Sequence, residues 1–452
     1  MTGGLIQLAA YGAQDLYLTG NPQTSLFVTA YKRHTNYSME SIQQFFTGDV
    51  GFGKKIYCNL DRIGDLIGKI FLSIKLPSLD AFASDNFTVG WINAIGYGLI
   101  NYVELEIGGT VIDKQYGLWM EIWYELVTPL GKRASGDLLI GKDEMNPDVD
   151  SRKGPYNLYI PLMFWFCRHP GMALPLIALQ YQDVRINIAF NRLQQLWNST
   201  SGKLDVEKCI KYSDKYINIK DASLFVEYYF LENEERKLFV NKKHNYLIEQ
   251  TQINIQSYET GLVDVIFPMN FSHPVKEIIW IIQNQLVLEQ TTENDEMRGN
   301  QMFNFSDRPY IASFVPHVGP GGEFYKNNTP YGSDVPADPM EGAEIQFEGQ
   351  PRVRHRDCFY YRIAQPFQFH TNYPNNFIYM YSFALNPEEI QPSGACNFSR
   401  LDNVDMRIKL VENKNGSTLE EKYLIEPRII MFALNYNVLQ ISNGMAGLAY
   451  SS

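Results

Sequence analysis

Val103-Glu104-Leu105-Glu106-Ile107 reads apolar, polar, apolar, polar, apolar and then breaks at Gly108-Gly109; far downstream Ala343-Glu344-Ile345-Gln346-Phe347 repeats the pattern and breaks at Gly349. A period of two buries one set of side chains and wets the other, as in a half-buried strand. Asp183-Val184-Arg185-Ile186-Asn187-Ile188 is echoed in the same way by Asp405-Met406-Arg407-Ile408-Lys409-Leu410, and Lys69-Ile70-Phe71-Leu72-Ser73-Ile74 by Glu277-Ile278-Ile279-Trp280-Ile281-Ile282. The three echoes keep one order. Their shifts are 208 (Ile70 to Ile278), 240 (Glu104 to Glu344) and 222 (Asp183 to Asp405), so equivalent strands are joined by loops of different length. The pattern predicts a duplicated β-domain.

Further alternating runs extend the first copy to strands near Lys55 to Leu60, Lys69 to Leu76, Tyr102 to Ile112, Gln182 to Ala189 and Ala222 to Leu231. In the second copy they fall near Gln252 to Ile255, Val263 to Phe267, Ile278 to Gln283, Glu344 to Phe347, Asp405 to Leu410 and Arg428 to Leu434. Strands at this spacing suit a sandwich or jelly roll. Between Tyr116 and Leu126 the period changes: Leu118, Ile122 and Leu126 recur every four residues beside Trp119 and Trp123, which predicts a short helix laid against a sheet. Residues 131–156 and 191–220 lack periodicity and are expected as surface loops, and Gly319 to Gly342 is dense in Gly, Pro, Asn and Asp. The charged stretch Glu232 to Lys237, followed by Asn241-Lys242-Lys243, marks a boundary. The expected division is an N-terminal arm at 1–24, a first domain at 25–238 and a second at 239–452.

The chain has 452 residues, 45% of them hydrophobic and 14% aromatic, enough for two full cores of the strand-rich kind. A net charge of -11 argues against a sequence-independent grip on nucleic acid, which needs a basic surface. No apolar run approaches the roughly 18 to 20 residues of a membrane span, and no secretory leader pattern opens the sequence. Cys58, Cys167, Cys209, Cys358 and Cys396 are scattered and odd in number, so neither a disulfide framework nor a zinc site is expected.

No catalytic, cofactor-binding or metal-ligating set emerges. His34, His169, His244, His273, His317, His355 and His370 form no HxH or HxxxH pair, and His169 and His273 precede prolines as turn residues do. His355-Arg356-Asp357 opens like a kinase catalytic loop but has Arg362 where that loop needs Asn. Gly319-Pro320-Gly321-Gly322 lacks dinucleotide-site spacing, and Asp295 and Glu296 sit in a polar stretch expected as solvated loop. Asn-x-Ser/Thr sequons occur at Asn36, Asn86, Asn198, Asn270, Asn304, Asn327, Asn397 and Asn415.

Several separated motifs carry a resemblance. They are Tyr11-Gly12-Ala13-Gln14-Asp15-Leu16-Tyr17-Leu18-Thr19-Gly20-Asn21-Pro22, Tyr31-Lys32-Arg33-His34-Thr35-Asn36-Tyr37, Gly51-Phe52-Gly53, His244-Asn245-Tyr246-Leu247-Ile248-Glu249-Gln250, Ser382-Phe383-Ala384-Leu385-Asn386-Pro387, Ser393 to Arg400, and Asn435-Tyr436-Asn437-Val438-Leu439 through Tyr450. In this order, over nearly the whole chain, they resemble the major capsid proteins of nucleocytoplasmic large DNA viruses, the algal-virus and iridovirus group. The resemblance implies an all-β double jelly roll, two tandem eight-stranded antiparallel sandwiches with short helices in the loops. It further implies a homotrimer forming a pseudo-hexagonal capsomer in the outer icosahedral shell of a virion assembled in host cytoplasm. The implied partners are neighbouring capsomers and minor capsid and penton proteins, with no direct nucleic acid, an internal membrane that is not spanned, and glycans on outer loops. Towers are then expected at 131–156 and 315–342 and an inward arm at Met1 to Gly20. The alternative from another class is a tandem-sandwich carbohydrate-binding protein, with Tyr325, Asn327 and Tyr331 as its contact residues.

Overall fold

The computed structural model describes residues 2–450 apart from 80–88, 143–153, 200–216, 286–287, 289–290, 294–295, 299, 308–336, 375, 412–423 and 425. Residues Met1–Tyr37 form a unit of their own, with short helices at Gly3–Ala9 and Leu16–Thr19 and no buried side chain among the described residues. Ser38–Ser452 forms the second unit.

The first half of that body has eight principal strands: β1 (Tyr37–Phe45), β2 (Lys55–Asn59), β3 (Leu66–Leu76), β4 (Ile100–Ile107), β5 (Thr110–Tyr116), β6 (Tyr156–Pro161), β7 (Val184–Phe190) and β8 (Asp221–Leu231). They build two sheets, ordered β1-β8-β3-β6 and β2-β7-β4-β5. The second half repeats the plan with β9 (His244–Ser257), β10 (Asp264–Pro268), β11 (Pro274–Gln283), β12 (Met340–Phe347), β13 (Gln350–Asp357), β14 (Tyr379–Ser382), β15 (Val404–Leu410) and β16 (Arg428–Ser442). Its sheets run β9-β16-β11-β14 and β10-β15-β12-β13. Two sandwiches with one strand order make a double jelly roll.

All three sequence echoes fall on equivalent strands: β3 with β11, β4 with β12, β7 with β15. The 208 shift survives at residue level, since Leu66 pairs with Pro175 and Pro274 with Asn397 at matching corners. The 240 shift survives through the hairpin, where Ile107 faces Thr110 and Phe347 faces Gln350. The 222 shift is two residues too long. Ile107 pairs with Val184 and Phe347 with Val404, and the Gly108 N–H donates to Asp183 O as Glu348 N–H does to Asn403 O. A slip of two leaves the buried face unchanged, so alternation alone is blind to it.

Other expectations change more. Tyr102 to Ile112 is a hairpin rather than one strand, turning at Gly108 and Gly109, whose φ values of 57° and 86° suit glycine. Edge strand β1 carries no strong periodicity and edge strand β6 alternates over only six residues, so both escape a pattern search. Residues 131–156 are not simply loop: a helix spans Leu130–Ile140, with Arg133 and Ile140 buried, and 143–153 lies outside the described residues. Gly136 hides that helix in the sequence, yet a Cβ there would meet the Tyr124 hydroxyl at 2.4 Å. Of 191–220, Trp197–Ser199 pairs with Val89–Trp91. The Thr291–Glu293 strand pairs with Glu296–Arg298, so Glu296 belongs to a hairpin rather than a loop. Of 315–342, residues 315–336 lie outside the described set and Met340 opens β12. The charged boundary is a helix, Asn233–Asn241, with Glu234 and Glu235 in its first turn where the helix dipole favours them.

Alternation explains the first sandwich. In β3, Ile70, Leu72 and Ile74 are buried while Lys69 and Lys75 are exposed. Strand β11 breaks the rule: every residue from Val275 to Gln283 is buried, Lys276 and Glu277 included. Its sheet has a core on both faces. Met431, Ala433, Ile278 and Trp280 pair on the face turned into the second sandwich, and the other face is covered by the first.

Candidate functional site

The covered face is the seam between the sandwiches. Its centre is the Gly117–Val127 helix, which starts against the first core: a Cβ on Gly117 would lie 2.1 Å from Tyr97 O and 2.2 Å from Ile100 O. That close approach sends Trp119 and Trp123 outward, stacked at 5.4 Å. Trp119 lies 5.3 Å from Phe432 of β16, and Tyr116 lies 6.5 Å from the same ring. Burying aromatic area of this size stabilises the contact by about 2 to 3 kcal/mol per ring.

A charged network surrounds the aromatics. Arg168 places its guanidinium 4.9 Å from the Trp123 ring centre and pairs with Glu249 of β9. Glu249 also takes Lys276 Nζ at 2.6 Å, and Lys276 donates again to Pro387 O at 2.5 Å. Burial pushes the Lys276 ammonium below the usual lysine range, and Glu249 opposes that push. The ring of His370 is fully buried, with Nε2 2.9 Å from Glu277 and Nδ1 2.9 Å from Glu388. Burial works against its charge, but the two carboxylates prevail and hold its pKa at about 9. Glu388 goes below the carboxylate range: burial resists, while His370 and the Thr371 N–H and hydroxyl stabilise the anion.

Backbone is stitched as well. Thr251 N–H donates to Asp113 Oδ1 at 3.3 Å, Gln115 Nε2 donates to Asp113 Oδ2 at 2.9 Å, and Gln250 reaches Ile112 O. Burial drives the Asp113 carboxyl up to about 6 against those bonds. Asn372 N–H donates to Leu126 O at 3.0 Å and its side chain to Thr128 O. Asn300 Nδ2 donates to Gln194 O at 2.6 Å and to Trp197 O at 2.7 Å. Beyond β16, Met445–Leu448 turns back as a hairpin strand; Tyr181 N–H donates to Gly444 O at 3.1 Å and Ala446 N–H to Gln182 Oε1 at 2.6 Å. These two bonds clasp the second sandwich to the loop before β7.

Such an arrangement fixes geometry. Glu249 holds Arg168 and Lys276, and Glu277 and Glu388 hold the His370 ring, while Asp113 is tied to the Thr251 N–H and the Gln115 amide. Burial pushes the thiols of Cys58 to about 11 and of Cys167 and Cys358 to about 12, away from thiolate chemistry. Among the described residues no three His, Cys, Asp or Glu side chains are grouped to hold a metal.

The singled-out residues have local roles. His169 accepts from Gly171 N–H, Asp357 Oδ1 caps Tyr360 N–H at 3.0 Å, and His273 adopts a φ of 66° before β11. His355, Arg356 and Asp357 lie on or at the end of β13. Asn304 is buried, whereas Asn36, Asn270 and Asn397 are exposed. Gly319 to Gly322, His317, Tyr325, Asn327 and Tyr331 lie outside the described residues, as do Asn86, Asn415 and Cys209. Sequence reasoning missed the seam. Its one legible signal was Lys276-Glu277 inside an otherwise apolar strand, where buried opposite charges require partners.

Residues 25–232 match the family model of the major capsid protein N-terminus, and residues 235–447 that of the large eukaryotic DNA virus major capsid protein. The chain is 35% identical to the major capsid protein of Phaeocystis pouchetii virus and 36% identical to that of Pyramimonas orientalis virus, covering 100% of each chain in both cases. It superposes on a protein of the PBCV-1 virus capsid with a TM-score of 0.73 at 30% identity, over 95% of this chain and 100% of that one. Nothing in these similarities favours a carbohydrate-binding protein. Two sandwiches of one strand order, a seam built for rigidity and matches along the whole chain lead to one conclusion: the chain belongs to the major capsid protein family of large eukaryotic DNA viruses.

Proposed function

We propose that the protein is the structural brick of a viral outer shell, acting as a homotrimer whose six sandwiches form a pseudo-hexagonal capsomer. The observation that carries this reading is the seam: a charged and aromatic network fastens the two sandwiches into one body. A shell unit needs that stiffness, because lateral contacts between capsomers are many and individually weak. The working division is an arm at 1–24, a first jelly roll at 25–238 and a second at 239–452. The arm serves the shell interior, neighbouring capsomers and minor capsid and penton proteins are the partners, and assembly takes place in host cytoplasm. The acidic balance of -11 supports a shell that does not grip nucleic acid directly. Exposed Asn270 and Asn397 are the described positions for outer glycans. The role is mechanical, with no enzymatic reaction. Light scattering coupled to size exclusion tests it: a three-chain mass that persists on dilution is expected, and a monomer at every concentration would overturn it.

A further inference from the structure

The two sandwiches are equivalent, but their equivalent surfaces are not equally covered. In the second, the outer face of β9-β16-β11 is closed by the helix that follows β5 of the first. In the first, the outer face of β1-β8-β3 is open among the described residues. The register identifies matching positions. Phe71 pairs with Phe225 as Ile279 pairs with Phe432, and Phe71 stands 208 positions before Ile279, the shift anchored at Leu66 and Pro274. Phe225 is thus the counterpart of the ring on which Trp119 and Tyr116 sit. Around it the open face carries Met39 (63% exposed), Phe45 (70%) and Tyr159 (43%), with the Tyr159 ring 5.9 Å from Phe225. Gln43 Nε2 bonds to Ser223 Oγ at 3.0 Å, which puts Met39, Gln43 and Phe45 on that same face of edge strand β1.

The complementary part is also present and unused. After β13 the second sandwich has its own helical segment, a π turn at Tyr360–Ala364 continued by Gln365–Phe369, where the first has the Trp119 helix. Gly342 pairs with Asp357 as Tyr102 pairs with Tyr116, so the two segments leave their sheets at matching points. Tyr361 and Met120 fill their own cores, both fully buried. On the other side Phe359 is 47% exposed and Phe367 84% exposed, with Ile363 half-buried between them at a spacing of four.

We infer that the Phe359–Phe367 face of one chain docks on the Met39, Phe45, Phe71, Tyr159 and Phe225 face of a second copy, repeating between chains the seam formed within each. The inference rests on the trimer reading and specifies its interface. Each chain has one donor helix and one acceptor face, so the contact is head-to-tail, and three chains close a ring in which intrachain and interchain seams alternate.

The test compares the full chain with Phe225→Asp and Phe367→Asp by light scattering, with circular dichroism to check the fold. Each variant alone is expected as a folded monomer, because each lacks one half of every contact. Mixed in equal amounts they should give a two-chain species and no trimer, since the intact helix of Phe225→Asp fits the intact face of Phe367→Asp and the other junctions stay broken. Wild-type trimers with both variants still trimeric would overturn the interface while leaving the trimer standing; a monomeric wild type would overturn both. If either variant fails to fold, hydroxyl-radical footprinting of wild-type trimers decides: Met39, Phe225, Phe359 and Phe367 should be at least tenfold less reactive than exposed Tyr181, and equal reactivity would sink the docking.

Discussion

Asp113 and His370 show how single residues set the seam's response to pH. The Asp113 carboxyl is raised from 3.8 to about 6 by burial, so its contribution is fully favourable below pH 4 and is lost as pH rises through 6. Asp113→Asn keeps an oxygen for the Thr251 N–H without the buried charge. It should raise stability at pH 7.5 by about 1 to 3 kcal/mol in urea melts and leave it nearly unchanged at pH 4. His370 has the same sign over a higher window. Its pKa rises from 6.5 to about 9, so its stabilisation is complete below 6.5 and gone above 9. Wild-type protein should lose about 3 kcal/mol between pH 6.5 and 9.5 from this group, and His370→Gln should flatten that part of the profile. Little of this was legible beforehand. His370 looked like one dispersed histidine among seven, because its carboxylates, Glu277 and Glu388, come from separate segments that only the fold brings together.

At the scale of elements, the sequence spoke clearly where one face is buried and one is wet. Strands β3, β4, β7, β12 and β15 announced themselves that way, β11 did so by its nearly unbroken apolar run, and the helix at Gly117–Val127 came through its spacing of four. Alternation could not count register, hence the two-residue slip at β15. It was silent on β1, where both faces are largely exposed, and a glycine-containing stretch concealed the Leu130–Ile140 helix. Strand β16 shows why the seam was invisible. Its long apolar run reads as one buried strand and does not say that two different cores cover its faces. Phe432 belongs to the shared one. Phe432→Ala should cost about 3 to 5 kcal/mol in chemical denaturation, because the cavity opens between the β16 sheet and the Trp119 helix, both held by their own cores. The variant should also split one unfolding transition into two by calorimetry.

As a whole, Ser38–Ser452 forms one unit, in which the second sandwich takes its outer cover from the first. Expressed from residue 239 onward, it would bare Phe432, Leu434 and Ile279 on one sheet face, a patch of the kind that drives association. We expect that fragment to aggregate, and to become soluble when co-expressed with residues 25–238; sedimentation of the two preparations checks this. The clasp at Gly444 and Ala446 adds a consequence in time. During translation the residues that latch onto Tyr181 and Gln182 leave the ribosome only after all sixteen principal strands, so the latch can close only once both sandwiches have been made. A chain that stops at residue 443 has all sixteen principal strands and still lacks the latch. The clasp thus ties the joining of the two sandwiches to residues made after the strands of both are complete.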